Sequence, residues 1–221
     1  MTSNESKFYM RSIGTFKHNI THIRQRFDWD CGIACILMIL SETHRKEFYD
    51  DFSRICLEEG FGQSTWTIDL CYLLKRFHIK HRMYTSSQAA NNRCHSKEIV
   101  DRVRNRFTNA PYNGIKVMDG VLSTKQLTAH VVTAGPAIAL VDAALLSCDW
   151  CKHNSLQSEF RRIFGGIYQG HYIVVVGWSA GKLLYHNPAR KHQLCATTLK
   201  RLHAARSAPG TDYDVILIYC P

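Results

Sequence analysis

Apolar residues along this chain follow two periods, and the change between them is the first guide to its fold. In the first half they recur at helical spacing. The run Ile33–Leu40 has the length and residue types of a buried helix, with Asp28 or Asp30 available as its cap. Glu47–Glu58 places Phe48, Phe52, Ile55 and Cys56 on one helical stripe. Ser64-Thr65 then caps a third helix running to Phe77, with Trp66 and Leu70 assigned to the core. Ile79–Tyr84 reads as a short strand, Ser86–Ser96 as a polar surface loop, and Lys97–Phe107 and Thr124–Thr133 as two further helices. Past Gly135-Pro136 the pattern becomes β-like. Ala137–Val141 is a buried strand, and His171–Trp178 and Lys182–Asn187 flank the turn Ser179-Ala180-Gly181 as an antiparallel hairpin. A helix over Thr198–Ala205 and a strand over Val215–Tyr219 complete the reading. Helices collected ahead of a C-terminal antiparallel sheet indicate an α+β fold. Residues 1–19 are polar and mixed, the pattern of a flexible tail, which leaves residues 20–221 as a single domain.

Candidate chemistry gathers at the two ends of this pattern. Cys31 stands at the start of the first helix, six residues after Gln25. In a first helical turn, unpaired N–H groups and the positive dipole end favour thiolate over thiol. His171 opens the hairpin, and a tip near Ser179 or Ala180 sets it opposite Asn187 to Ala189. An Asn beside an imidazole holds one tautomer, while the ring takes the thiol proton and returns it to a leaving group. These roles make Cys31 the nucleophile, His171 the base, Asn187 the orienter and Gln25 a donor to an oxyanion. Each residue alone has an ordinary alternative: a buried thiol, a core histidine, or an Asn in the turn before Pro188. Their joint order in one chain favours the catalytic reading.

Composition narrows the setting. Nine cysteines among 221 residues, an odd number without framework spacing, suit a reducing compartment. With no apolar signal core and no apolar run long enough to span a bilayer, the expectation is a soluble protein of the cytoplasm, with the nucleus as a second compartment and no membrane partner. The formal charge of +10 raises nucleic-acid binding as a separate class. However, Arg102 and Arg106 lie four apart on a helix whose other face carries Ile99, Val103 and Phe107, the pattern of a solvated surface, and no nucleic-acid module is present. Cys148-x2-Cys151, with His153 close by, has the first half of a zinc-site spacing. Cys94 and His95 stand in a separate polar loop, so the pair is read as two reduced surface cysteines, and neither a metal ligand nor a cofactor is assigned.

Gln25-x5-Cys31-Gly32, Gly170-His171 and Asn187-Pro188 resemble the papain-like bacteriocin-processing peptidase domains. That resemblance implies a papain-like fold, a Gln, Cys, His and Asn site, and a protein or peptide substrate. A longer resemblance, from about Ile23 to Tyr219, is carried by Trp29–Cys35, Trp66–Leu70, Tyr168–Val174 and Gly210–Ile216. It is to the guanylyl cyclase domain-containing protein 1 family, whose name implies formation of cyclic GMP. Cyclases need metal-binding carboxylates and a phosphate cradle. Gly165-Gly166 and Gly170 stand before a strand, and Asp50-Asp51 reads as a solvated helix edge. The residues therefore favour a cysteine hydrolase, with a cyclase or a catalytically silent papain-like interaction module as the other readings. They do not address the oligomeric state.

Overall fold

A computed structural model describes residues 14–62, 65–88, 96–151, 154, 158, 166–191 and 194–220. In chain order the elements are β1 (Phe16–Lys17), α1 (Cys31–Ile39), α2 (Glu42–Asp50), α3 (Phe52–Glu59), α4 (Thr67–Arg76), β2 (His81–Thr85), α5 (Lys97–Asn109) and β3 (Lys116–Asp119). There follow α6 (Thr124–Thr133), β4 (Ala137–Asp142), β5 (Gly170–Ser179), β6 (Lys182–His186), β7 (Leu194–Thr198), α7 (Leu199–Arg206) and β8 (Val215–Ile218).

The strands form one eight-stranded sheet in the order β3-β2-β8-β4-β5-β6-β7, with β1 added on β5. All pairs are antiparallel except β2 with β3. The fold is α+β, and α1 packs directly on β5. Its sheet is mixed rather than purely antiparallel, because β3 enters parallel to β2 after the α5 crossover. Period-two alternation sorts β5 between two cores. Tyr172, Val174 and Val176 face α1 and α4 with Ile36, Ile68 and Leu74. Ile173 and Val175 face α6 and α7 with Leu127, Val131 and Leu202. Gly32 permits the close approach on the first side, since a Cβ there would lie 3.0–3.1 Å from Leu70 and Tyr172 side-chain atoms.

Several boundaries differ from the pattern for local reasons. The helix expected over Glu47–Glu58 is two helices broken at Asp51, which ends α2 and begins α3. Thr65 does not cap α4. Trp66 holds the N-cap position, and Asp69 Oδ2 accepts from the Trp66 N–H at 3.3 Å. Leu70 is fully buried as expected, whereas Trp66 is only partly buried and lines a cleft. The loop Ser86–Ser96 lies largely outside the described residues. Strands β3 and β7 carry too little apolar signal to be seen in the sequence, and β1 forms inside the segment expected as a tail. A Cβ on Gly177 would lie 2.8 Å from Lys17 Cα, so glycine is what lets β1 reach β5.

Arg102 and Arg106 are not a solvated face. Arg102 Nη2 meets Asp69 Oδ2 at 3.0 Å and Arg106 Nη1 meets Asp69 Oδ1 at 2.9 Å, with Asp69 fully buried. Arg106 Nη2 also reaches Glu59 Oε2 at 2.7 Å. The two guanidiniums brace α5 against α3 and α4, and much of their charge is used internally. No helix among the described residues is long and apolar enough to cross a membrane.

Candidate active site

A cleft of about 280 Å³ opens where the N-terminus of α1 meets the start of β5 and the turn before β8. Cys31, Trp66, Tyr168, Tyr172, Asp212 and Asp214 are among its walls. Cys31 is the first residue of α1 and is buried. Asp30 sits at the N-cap position without capping the helix. Its carboxylate turns back instead, accepting from the Phe27 N–H at 3.0 Å and the Arg26 N–H at 3.1 Å, which closes the loop that carries Gln25.

The Cys31 thiol is not depressed as a first-turn cysteine would suggest. Burial pushes it above its ordinary value of 9.0; the Tyr172 and Gly32 amides pull the other way, and the Asp30 charge adds to the rise. Desolvation of a thiolate outweighs the amide donors here, so the resting sulfur is protonated at neutral pH. Cys35, one turn further in, is fully buried and its thiol is pushed well up for the same reason.

His171 Nε2 lies 2.8 Å from Asn187 Oδ1. The same Oδ1 accepts from the Ala189 N–H at 3.0 Å, which fixes it as the oxygen of the amide. The imidazole therefore carries a proton on Nε2 and donates it to Asn187, which sets the orientation of the ring. Asn187 is itself anchored, its carbonyl accepting from His22 Nε2 at 2.9 Å.

The pleat of β5 divides the expected site. Tyr172, whose N–H faces the Cys31 sulfur, lies on the α1 side, and its neighbour His171 projects with Val141 and Ile173 toward the other face. His171 is not among the described residues that line the Cys31 cleft. Gln25 is held at the loop, its backbone N–H donating to Pro188 O at 2.9 Å and its side-chain Nε2 to Phe27 O at 2.8 Å. The structure thus brings His171 to Asn187, Cys31 to Tyr172, and the Gln25 backbone to the residue after Asn187.

Asp214 is the cleft residue that sequence reasoning passed over. It is buried and its Oδ1 has no hydrogen-bond partner. Burial pushes its carboxyl up to about 7; the Thr67 and Thr85 hydroxyls moderate the rise, Asp212 adds to it, and Arg206 opposes it. Asp212 and Tyr213 just before it both have positive φ, 47° and 54°, a costly conformation for two successive non-glycine residues. Buried Arg206 holds this turn by donating from Nη2 to Tyr213 O at 3.4 Å. The available signal was Asp212-x-Asp214 set against the apolar run Val215–Ile218. No three cleft carboxylates converge within 4.8 Å among the described residues.

The fold is similar to a crystal structure from Bacillus anthracis described as a C39-like peptidase, with a TM-score of 0.43 and 12% identity over 95% of this chain and 98% of that one. In sequence the chain is 30% identical over 215 residues to "Guanylyl cyclase 1" of Arabidopsis thaliana, covering 90% of this chain and 75% of the relative. The family model described as guanylylate cyclase matches residues 20–218, and the chain belongs to that family.

Proposed function

We propose that the protein is a cysteine hydrolase acting on an acyl bond of a protein or peptide, with Cys31 as nucleophile, His171 as base, Asn187 as its orienter and Gln25 as an oxyanion donor. The observation that carries this reading is the His171–Asn187 pair, which holds the imidazole by Nε2 next in the chain to Tyr172, the residue whose N–H faces the Cys31 sulfur. Because the pleat of β5 sets His171 and Cys31 on opposite faces, this reading requires the start of β5 at Gly170 to shift so that the imidazole reaches the sulfur. Sulfur attacks the carbonyl carbon as its proton passes to the His171 imidazole. That proton then goes to the leaving group, and water hydrolyses the thioester. A resting thiol of high pKa makes this transfer obligatory. Gln25 takes its part once its amide leaves Phe27 O. The test is labelling by an acyl-type cysteine-directed probe. At pH 7 it should map to Cys31, be lost in Cys31→Ala, and fall at least tenfold in His171→Ala and less in Asn187→Ala. Equal labelling in folded His171→Ala and wild type overturns the reading.

A second reading is favoured by Asp214, a carboxyl with a pKa near neutrality in the same cleft. Such a group suits general-base removal of a hydroxyl proton, the step that closes a nucleotide ring, and the Arabidopsis relative carries a cyclase name. Conversion of GTP to a cyclic nucleotide that survives Cys31→Ala and is lost in Asp214→Asn would establish it in place of the first.

A further inference from the structure

Far from the cleft, the Cys148-x2-Cys151 turn does not lie loose on the surface. Cys148 is 1% exposed, and the turn packs against β7, which supplies Cys195 at the edge of the sheet. The three sulfurs lie within 4.8 Å of one another. Tetrahedral zinc with thiolate bonds of about 2.3 Å places its sulfurs about 3.8 Å apart, so a small contraction of this triangle seats the ion. We propose that Cys148, Cys151 and Cys195 form a three-thiolate site for one zinc-class cation, which ties the segment after β4 to the edge strand.

Three further observations point the same way. Cys148 Sγ accepts from the Cys151 N–H and from the Ala196 N–H, each at 3.4 Å, an outer shell of backbone donors suited to a metal-bound thiolate. Between the two cysteines, the Asp149 N–H donates to Ala196 O at 2.8 Å, and the Asp149 carboxylate pairs with Lys182 at 2.9 Å and with Arg201. The turn is thus fixed to β6, β7 and α7 by contacts that need no ion, and those two cations against one anion offset the negative charge of three thiolates around a divalent metal. Buried Tyr185, the cross-strand partner of Cys195, hydrogen-bonds that sulfur with its side chain. Cys148 and Cys195 are buried and Cys151 half-buried, so the site is shielded on the protein side and open on one edge. Thiolate donors and this geometry select zinc over magnesium or calcium, which take oxygen.

The full chain, purified with reductant and without added metal, should contain about one equivalent of zinc by elemental analysis, consistent with a single tetrahedral site. Cobalt exchanged into it should show the intense visible bands of tetrahedral thiolate coordination. Zinc should fall at least fivefold in Cys195→Ser and in Cys148→Ser, and stay unchanged in Cys220→Ser, an exposed cysteine outside the cluster. Should Cys148→Ser fail to fold, half-buried Cys151→Ser supplies the same readout. Metal-free protein that takes up no zinc under reducing conditions overturns the proposal, as does full stoichiometry retained in Cys195→Ser, or a Cys148–Cys151 disulfide in freshly isolated metal-free protein.

Discussion

Replacing Asp214 by Asn tests whether the cleft holds a proton that water would take away. In the folded chain the carboxyl titrates at about 7, against an ordinary value of 3.8. Folded protein therefore keeps this proton at pH values where the unfolded chain has released it. Linkage sets the sign: the contribution to stability is intact below 3.8, declines as pH rises to 7, and is constant above. A difference of about 3 pH units at 1.36 kcal/mol each amounts to about 4 kcal/mol at pH 8, an upper figure because water entering the cleft relieves part of it. Asn keeps the shape and does not titrate. Urea unfolding followed by tryptophan fluorescence should show wild type and Asp214→Asn differing by a small constant near pH 4. The variant should gain progressively to pH 7, with the excess then levelling off. Taking the difference cancels the remaining titrating groups common to both. A difference independent of pH between 4 and 8 would refute the buried-proton argument and, with it, the case for Asp214 as a base.

Other perturbations probe the frame around the cleft. Arg106→Met leaves fully buried Asp69 with Arg102 as its remaining guanidinium and strips Glu59 of one partner; it should cost about 3 kcal/mol in chemical denaturation, the low end for breaking a buried pair. A loss under about 1 kcal/mol would mean that the network is only surface decoration. Cys35→Ala should cost about 1 kcal/mol, as for one buried methylene-sized group, and leave probe labelling at Cys31 unchanged. Gly177→Ala should detach β1, and faster hydrogen exchange at the His18 amide, which donates to Val176 O at 2.8 Å, is the readout.

Strong local signals carried most of the fold. Thr124–Thr133 is an α-helix over the expected range because Ser123 and Gln126 form a complete capping box ahead of its apolar stripe. The β5–β6 hairpin was legible because its tip needs left-handed residues, which Ala180 and Gly181 supply with φ of 46° and 78°. Elements specified by distant partners were not legible. Lys116–Asp119 is a strand because Arg82–Thr85 offers it a parallel edge, and nothing within those four residues demands that pairing. Arg102 and Arg106 carry an ordinary amphipathic pattern, and only the fold reveals the carboxylate between them. Cys195 joins Cys148 and Cys151 across 44 residues, too far for spacing to announce. At the cleft, the four expected residues could be named from their order, but the face on which each side chain emerges depends on the pleat of β5 and the place of α1, which order alone does not set.

The place of β8 has a consequence for how the molecule is made. Val215–Ile218 is the last of the described strands of this sheet in chain order, yet it pairs with both β2 and β4, near the middle of the sheet. Until it emerges, the sheet exists as two halves with open inner edges, and the His81–Ile218 pairing must close across most of the chain. Asp212 and Asp214 arrive with this strand, so the cleft that holds Cys31 lacks two of its acidic residues until β8 is made. A nascent or truncated chain lacking these few residues would hold a thiol in an unfinished pocket beside two unprotected strand edges, the species a cell's quality control is built to remove.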